Sequence, residues 1–273
     1  MANKSVAKVD ETQNQIAVFE EYETMASTGF EEVTAEDLAV PYLKILQVGS
    51  PECLPGGPKY DKRAQAGMIA NSVADAYYDG LEEGMLVVPC YYNRRFVEWL
   101  PERGGWAGSH EPTDPIVKQT TKNDKNEDIL PSGNQLVSTA QFFIFLVNPD
   151  SADQSEPAML PMANTQLKKA RKWLSQMQGL TAEGKNGRYV LPMMSQLYRV
   201  KTHMEQKGEH TWFGYEISRE RSLDLKTKQE KALFEQAVDF AKSIKQGEVG
   251  VKSDVVENKE PQFIEDDEEI SVM

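Results

Sequence analysis

The chain has 273 residues, 40% hydrophobic and 9% aromatic, with a formal net charge of −13. That length suits one large domain or two small ones with a real core. No apolar run approaches the ~20 residues that cross a bilayer, which excludes a helical membrane span, and two cysteines, Cys53 and Cys90, exclude a disulfide framework or a four-cysteine metal site.

The acid is unevenly placed. The first forty residues carry nine Asp/Glu against Lys4 and Lys8, and Ser253–Met273 carry eight against Lys259, so residues 41–252 come to +1. Residues 163–252 hold seventeen Lys/Arg against ten Asp/Glu. Repulsion of nucleic acid therefore does not follow from the overall charge, because the acid sits in two flanks of a near-neutral body.

Residues 1–35 read as an acidic, largely flexible arm with a helix around Gln15–Met25. The opening MANKSVAKVDETQNQ has no apolar signal core, so secretion is not expected. Leu38–Val48 is an apolar run broken by Pro41, and Gly49–Gly57 is turn-rich. Gly67–Ser72 and Met85–Tyr92 read as strands, and Arg94–Trp99 as a strand after a bend. Glu102–Pro131 reads as one long loop. Gln135–Val147 (QLVSTAQFFIFLV) is the strongest strand signal, ending at Asn148-Pro149, and Pro157–Met162 is a short strand. Asn164–Met177 is a helix, capped by Asn164 or Thr165, with Leu167, Ala170, Leu174 and Met177 as its apolar stripe and Gly179 at its end. Tyr189–Leu191, Gln196–Met204 and Thr211–Ile217 read as strands, the last two as a hairpin around Gln206-Lys207-Gly208. Gln229–Ile244 is an amphipathic helix with Ala232, Leu233, Ala237, Phe240 and Ala241 inward. Strands precede helices without βαβ alternation, which predicts an α+β fold around an antiparallel sheet or small barrel. The expected organisation is a single β-rich domain over residues 36–250 and a disordered acidic tail over 251–273.

Three constellations could carry function. On a strand, Tyr92, Arg94, Phe96 and Glu98 share one face while Tyr91, Arg95, Val97 and Trp99 share the other. An aromatic platform beside guanidinium groups can stack bases and hold phosphates; an amphipathic strand with core aromatics reads the same way. The helix places Lys168, Lys169, Arg171 and Lys172 within five residues, with Trp173 at the edge of the stripe. Like charges this close repel unless an anion compensates; a solvated face is the alternative. Tyr198-Arg199-Val200-Lys201 and Trp212-Phe213-Gly214-Tyr215 alternate aromatic and basic groups across a hairpin, as an oligonucleotide-binding sheet does, or form a core hairpin. In the tail, Phe263 and Ile264 precede Glu265, Asp266, Asp267, Glu268 and Glu269, with Ile270, Val272 and Met273 behind. An apolar tip on an acidic leash suits docking to a basic partner. The histidines form no catalytic motif, the glycines at 104, 105 and 108 lack the Lys-Ser/Thr of a phosphate loop, and no enzyme activity, metal or cofactor is expected.

Pro41-Tyr42-Leu43-Lys44-Ile45-Leu46-Gln47 with Ser50-Pro51-Glu52, Val88-Pro89 with Tyr91-Tyr92 and Trp99, the helix Thr165–Trp173, and Trp212-Phe213-Gly214-Tyr215 resemble a family of bacteriophage proteins found with replication and recombination genes and described as single-stranded DNA-binding. These segments span about residues 38–220. The resemblance implies an oligonucleotide-binding barrel and an acidic C-terminal tail that contacts replication or recombination proteins. The acidic N-terminus departs from that pattern and fits a virion-associated or regulatory protein. The expectation is a sequence-independent single-stranded DNA-binding protein in the host cytoplasm, with Tyr92, Arg94, Arg95, Phe96, Trp99, Lys168, Lys169, Arg171, Lys172, Trp173, Tyr198, Arg199, Lys201, Trp212 and Tyr215 at the interface and no membrane partner. Self-association stays open. A phage structural protein, an acidic DNA mimic and, further off, a nucleic-acid-processing enzyme are the alternatives.

Overall fold

The computed structural model describes Met25, Thr28, Gly29 and residues 40–148 and 151–247, the side chains of Arg103 and residues 151–154 excepted. The acidic arm, nearly all of the helix expected over Gln15–Met25, and the acidic tail lie outside the described residues. The chain divides into two units, 1–38 and 39–273, and the second carries the sheet and helices.

Its strands are β1 (Leu43–Ile45), β2 (Ile69–Asn71), β3 (Tyr77–Tyr78), β4 (Met85–Trp99), β5 (Trp106–His110), β6 (Thr121–Lys122), β7 (Asp128–Ile129), β8 (Gln135–Asn148) and β9 (Ser151–Ala163). Then come α1 (Leu167–Gln178), β10 (Thr181–Gly184), β11 (Gly187–Val190), β12 (Gln196–Lys207), β13 (His210–Ser222) and α2 (Lys228–Gln246). The main sheet runs β13-β12-β4-β8-β7-β6, with β5 joined to β4 and β9 to β8. All of its pairings are antiparallel. The sheet curls into a half-barrel, giving the α+β, barrel-like architecture that the strand pattern predicts.

Both faces of this sheet are covered, and β8 shows why its sequence is apolar without alternation. Phe142, Ile144 and Leu146 pack with Trp173, Ala170 and Met177 of α1, with Leu43 and Ile69, and with Tyr198, Val200 and Tyr215. On the opposite face Phe145 joins Val88, Cys90, Leu197 and Leu233, and Phe143 joins Met159 and Ile244. Thus α1 lies on one face and α2 on the other. A bulge between Pro89 and Tyr91 makes the long β4 strand serve both. Before it, odd residues (Met85, Val87) face α1; after it, even Tyr92 does, and Cys90 and Tyr91 both look toward α2. An extra residue flips the alternation in this way.

The helices follow local chemistry. The α2 helix opens on an N-cap: Thr227 Oγ1 accepts from the Glu230 amide at 3.4 Å, while the Glu230 carboxylate accepts from the Asp224 amide at 2.5 Å and ties the preceding turn to the helix. It closes at Gly247, whose φ of 78° needs a residue without a Cβ. The expected cap of α1 is corrected. Asn164 (φ 51°) makes the left-handed turn out of β9, a short 3-10 segment follows over Asn164–Gln166, and no side chain caps the helix. The expected loop over Glu102–Pro131 is also corrected: it holds β5, β6, β7 and a 3-10 turn over Pro115–Gln119 whose first amide is capped by Asp114. Strands two residues long leave too little periodicity to read.

The exposed edge of β13 is closed by side chains. Gln47 donates to the Phe213 carbonyl and accepts from its amide (3.0 and 2.8 Å). Two residues on, Gln166 accepts from the Tyr215 amide at 3.0 Å and Lys169 donates to its carbonyl at 2.6 Å. At these two residues the edge is closed to another strand.

Candidate nucleic-acid interface

The fifteen expected interface residues fall into distinct places. Trp173, Tyr198 and Tyr215 are 1%, 1% and 2% exposed and belong to the core between α1 and the sheet. Trp173 lies 4.4 Å from the Phe142 ring and 5.4 Å from Tyr198, edge-on to the latter. A ring already enclosed by two others has no free face for a base, so these three are corrected to packing residues. The apolar stripe of α1 runs through Ala170, Trp173 and Met177, with Leu167 and Leu174 half-buried at its borders. Burial pushes the Tyr215 hydroxyl far above the usual phenol range and raises that of Tyr198 as well, so both stay neutral.

Lys169 is corrected in the same way. Besides the Tyr215 carbonyl it ion-pairs with Glu205, which leaves it a structural clamp between α1 and the edge of the sheet. Arg199 and Lys201 face away from α1, opposite Val200 and Tyr198 along β12. Arg199 is bonded to Glu220 (2.8 Å) and the Glu83 carbonyl (2.9 Å), and Lys201 to the Glu82 carbonyl. Trp212 is half-buried, directly across from Glu205, the partner of Lys169. Arg95 is likewise held, by Glu111 at 2.7 Å, and Trp99 is half-buried against Trp106 and Gln135 as cross-strand neighbours.

What remains is a coherent surface on the α1 side. Lys168, Arg171 and Lys172 are exposed at helical spacing on one ridge, and among the described residues no carboxylate pairs with them. On the same side of the sheet, β4 presents Tyr92, Arg94, Phe96 and Glu98 past the bulge, in unbroken register with Phe142, Ala140, Ser138 and Leu136 of β8. Tyr92 is half-buried and packs on Phe142 at 5.1 Å. Arg94 is exposed. Its guanidinium lies over the Phe96 ring at 5.6 Å and its Nε donates to Ser138 Oγ at 2.9 Å. Ser138 thus aims the arginine, and no local sequence pattern marks it.

Glu98 closes this row. It is 9% exposed, accepts from Asn134 Nδ2 and contacts His110 Nε2, each at 2.6 Å. Asn134's hydrogen bond and the neighbouring His110 hold its carboxyl below the usual range against the opposing pull of burial. Glu98 is therefore a buried anion that ties β5 and the turn before β8 to β4. Among the described residues no cluster of three His, Cys, Asp or Glu is placed to hold a metal, and no helix is long and apolar enough to cross a membrane.

The fold and this surface together define a β-rich α+β protein with a basic helix ridge beside an arginine–aromatic strand. The chain belongs to the Pam3 phage gp34-like protein family, whose model matches residues 10–250, and is a bacteriophage protein. No curated protein and no solved structure matches it.

Proposed function

We propose that this phage protein binds single-stranded DNA without sequence preference, in replication or recombination in the host cytoplasm. The observation that carries the reading is the ridge Lys168–Arg171–Lys172. Three exposed cations on two helix turns have no internal anion among the described residues, in a chain whose other interface cations are mostly matched to oxygens of their own fold. A phosphate backbone supplies the missing charge. Arg94, oriented by Ser138 and backed by Phe96, extends the cationic track onto the sheet, and Phe96 and Tyr92 offer half-exposed rings beside it. Partly exposed flat rings next to cations suit stacking of unpaired bases, worth ~1–3 kcal/mol per base. The tail of residues 251–273, with Phe263, Ile264 and the acids Glu265–Glu269, is the segment proposed to engage replication or recombination partners.

The test is fluorescence anisotropy of the full chain with labelled single-stranded and duplex oligonucleotides over a salt series. Single strands should bind more tightly, and the triple variant Lys168→Ala, Arg171→Ala, Lys172→Ala should weaken all sequences alike. Its log–log salt slope should fall by about 2, at ~0.7 for each phosphate that is no longer neutralised. No binding at low salt would overturn the function. Binding with an unchanged slope in the variant would overturn the ridge assignment.

A further inference from the structure

A half-open cleft of about 750 Å³ lies over β1–β3, between the outer side of that small sheet and the loop that follows the 3-10 turn Pro51–Cys53. Its volume falls in the range that encloses a small organic molecule, ~300–1,000 Å³. Three phenol rings line it: Tyr42 from the entry to β1, Tyr77 from β3 and Tyr60 from the loop. Tyr60 is 46% exposed, with no buried neighbour shell to account for it.

The charges in this cleft are arranged by type. On its floor Lys44 donates to Glu52 Oε1 at 2.5 Å, and the Glu52 side chain is 17% exposed. The other oxygen, Oε2, is buried and has no hydrogen-bond partner in another residue. Burial pushes the Glu52 carboxyl up, but Lys44, the residue's own amide and Lys59 pull it below the usual range, so it is an anion with one oxygen short of a donor. At the rim, Arg63 stacks over Tyr77 at 5.4 Å and binds Asp61 at 2.6 Å, holding that carboxyl down at about 2. Asp75 is bound by the same arginine at 3.4 Å. With both rim acids engaged by Arg63, Lys59 and Lys62 stand exposed in the lining, and no carboxylate pairs with them among the described residues.

An exposed tyrosine ring, two exposed ammonium groups and a donor-poor carboxylate in one cleft are complementary to a flat ring bearing an amino group at one end and a phosphate at the other. We propose that this cleft binds a nucleoside monophosphate unit, its base on the exposed Tyr60 ring, an exocyclic amine turned to Glu52 and its phosphate at Lys59 and Lys62. Adenine and cytosine present such an amine. Thymine presents only an N–H flanked by two carbonyl oxygens, which a carboxylate repels. The unit is either a free nucleotide or one unstacked nucleotide of a strand; the chemistry is the same. This site shares no residue with the α1 ridge, so it stands whether or not that ridge binds DNA.

Titration of the full chain with dAMP, dCMP, dTMP and deoxyadenosine, followed by calorimetry and by proton saturation transfer to the base, tests it. dAMP and dCMP should bind more tightly than dTMP. Lys59→Ala with Lys62→Ala should weaken dAMP about tenfold, the scale of two exposed charge contacts, and deoxyadenosine, without the phosphate, should be weaker to match. Glu52→Gln should erase the preference over dTMP, whereas the Lys168, Arg171, Lys172 triple variant should bind dAMP as the parent does. Absence of dAMP binding, or equal binding by the Lys59, Lys62 variant, overturns the site. Displacement of dAMP by an oligonucleotide would assign the pocket to a strand, and its persistence would assign it to a free nucleotide.

Discussion

Trp173 provides the sharpest test of where the interface ends and the core begins. It is 1% exposed, with Phe142 and Tyr198 packed at 4.4 and 5.4 Å. Its Nε1–H and the Tyr198 hydroxyl are neighbouring buried polar groups, and neither completes a well-formed hydrogen bond. Trp173→Ala removes the whole indole from this centre, which costs ~3–5 kcal/mol by the behaviour of buried aromatics, including two ring pairs of ~0.5–1.5 kcal/mol each. For a folded body of this size that corresponds to a melting temperature lower by roughly 6–20 °C, at ~2–4 °C per kcal/mol. Trp173→Phe keeps both ring contacts and removes an N–H that was not properly bonded, so it should cost well under half as much. Urea and thermal melts of the two variants measure this, with single-strand binding assayed at a temperature where each is folded. Both folded variants should bind DNA like the parent. A Trp173→Ala protein that melts like the parent yet loses DNA affinity would refute the packing assignment and return Trp173 to the interface.

The remaining expectations concern the tail, pH and the thiols. Truncation after Lys252 removes eight acids against one lysine. Released from that competitor for the same cations, the body should bind single strands more tightly, most at low salt, and equal affinity of the two forms in a low-salt titration would remove the competition model. Glu230 is held below the usual glutamate range chiefly by Arg221, against burial, so its contribution is present above the unfolded value of ~4.3 and is lost as pH falls through the lower folded value. Glu230→Gln should therefore melt earlier than the parent at pH 7, and the gap should close as pH falls below the unfolded value. A constant gap across that range would show that the ion pair is not responsible. Cys90 is buried beneath α2 with its thiol pushed far above the usual range by burial, while Cys53 is only half-buried. A thiol reagent should therefore titrate no more than one cysteine in the native protein and both after unfolding; rapid native modification of Cys90 would contradict its packing against Leu233 and Ala237.

Local and periodic features are legible in the amino-acid order. The unbroken apolar run of β8 announces a strand buried on both sides. The Thr227 cap and Gly247 bound α2 within a residue or two of the amphipathic pattern. The charge layout, with acid in the flanks and cations on α1, needs no coordinates at all. Which members of each pattern are free depends instead on packing. Trp173 and Lys172 are neighbours in sequence, yet one is enclosed by Phe142 and Tyr198 and the other is exposed, because the direction of α1 across the sheet sets which stripe turns inward. Lys169 and Lys168 carry the same charge, but only Lys169 reaches Glu205 and the edge of β13, which its own sequence neighbourhood does not contain. The bulge at Pro89–Tyr91 settles which face Tyr92, Arg94 and Phe96 share with α1, and the cleft gathers Tyr42, Glu52, Tyr60 and Tyr77 from separate turns and strands. Periodicity reports how a residue sits relative to its own helix or strand. Contacts across tens of residues, and the alternation that an inserted residue shifts, arise only when those elements pack against one another.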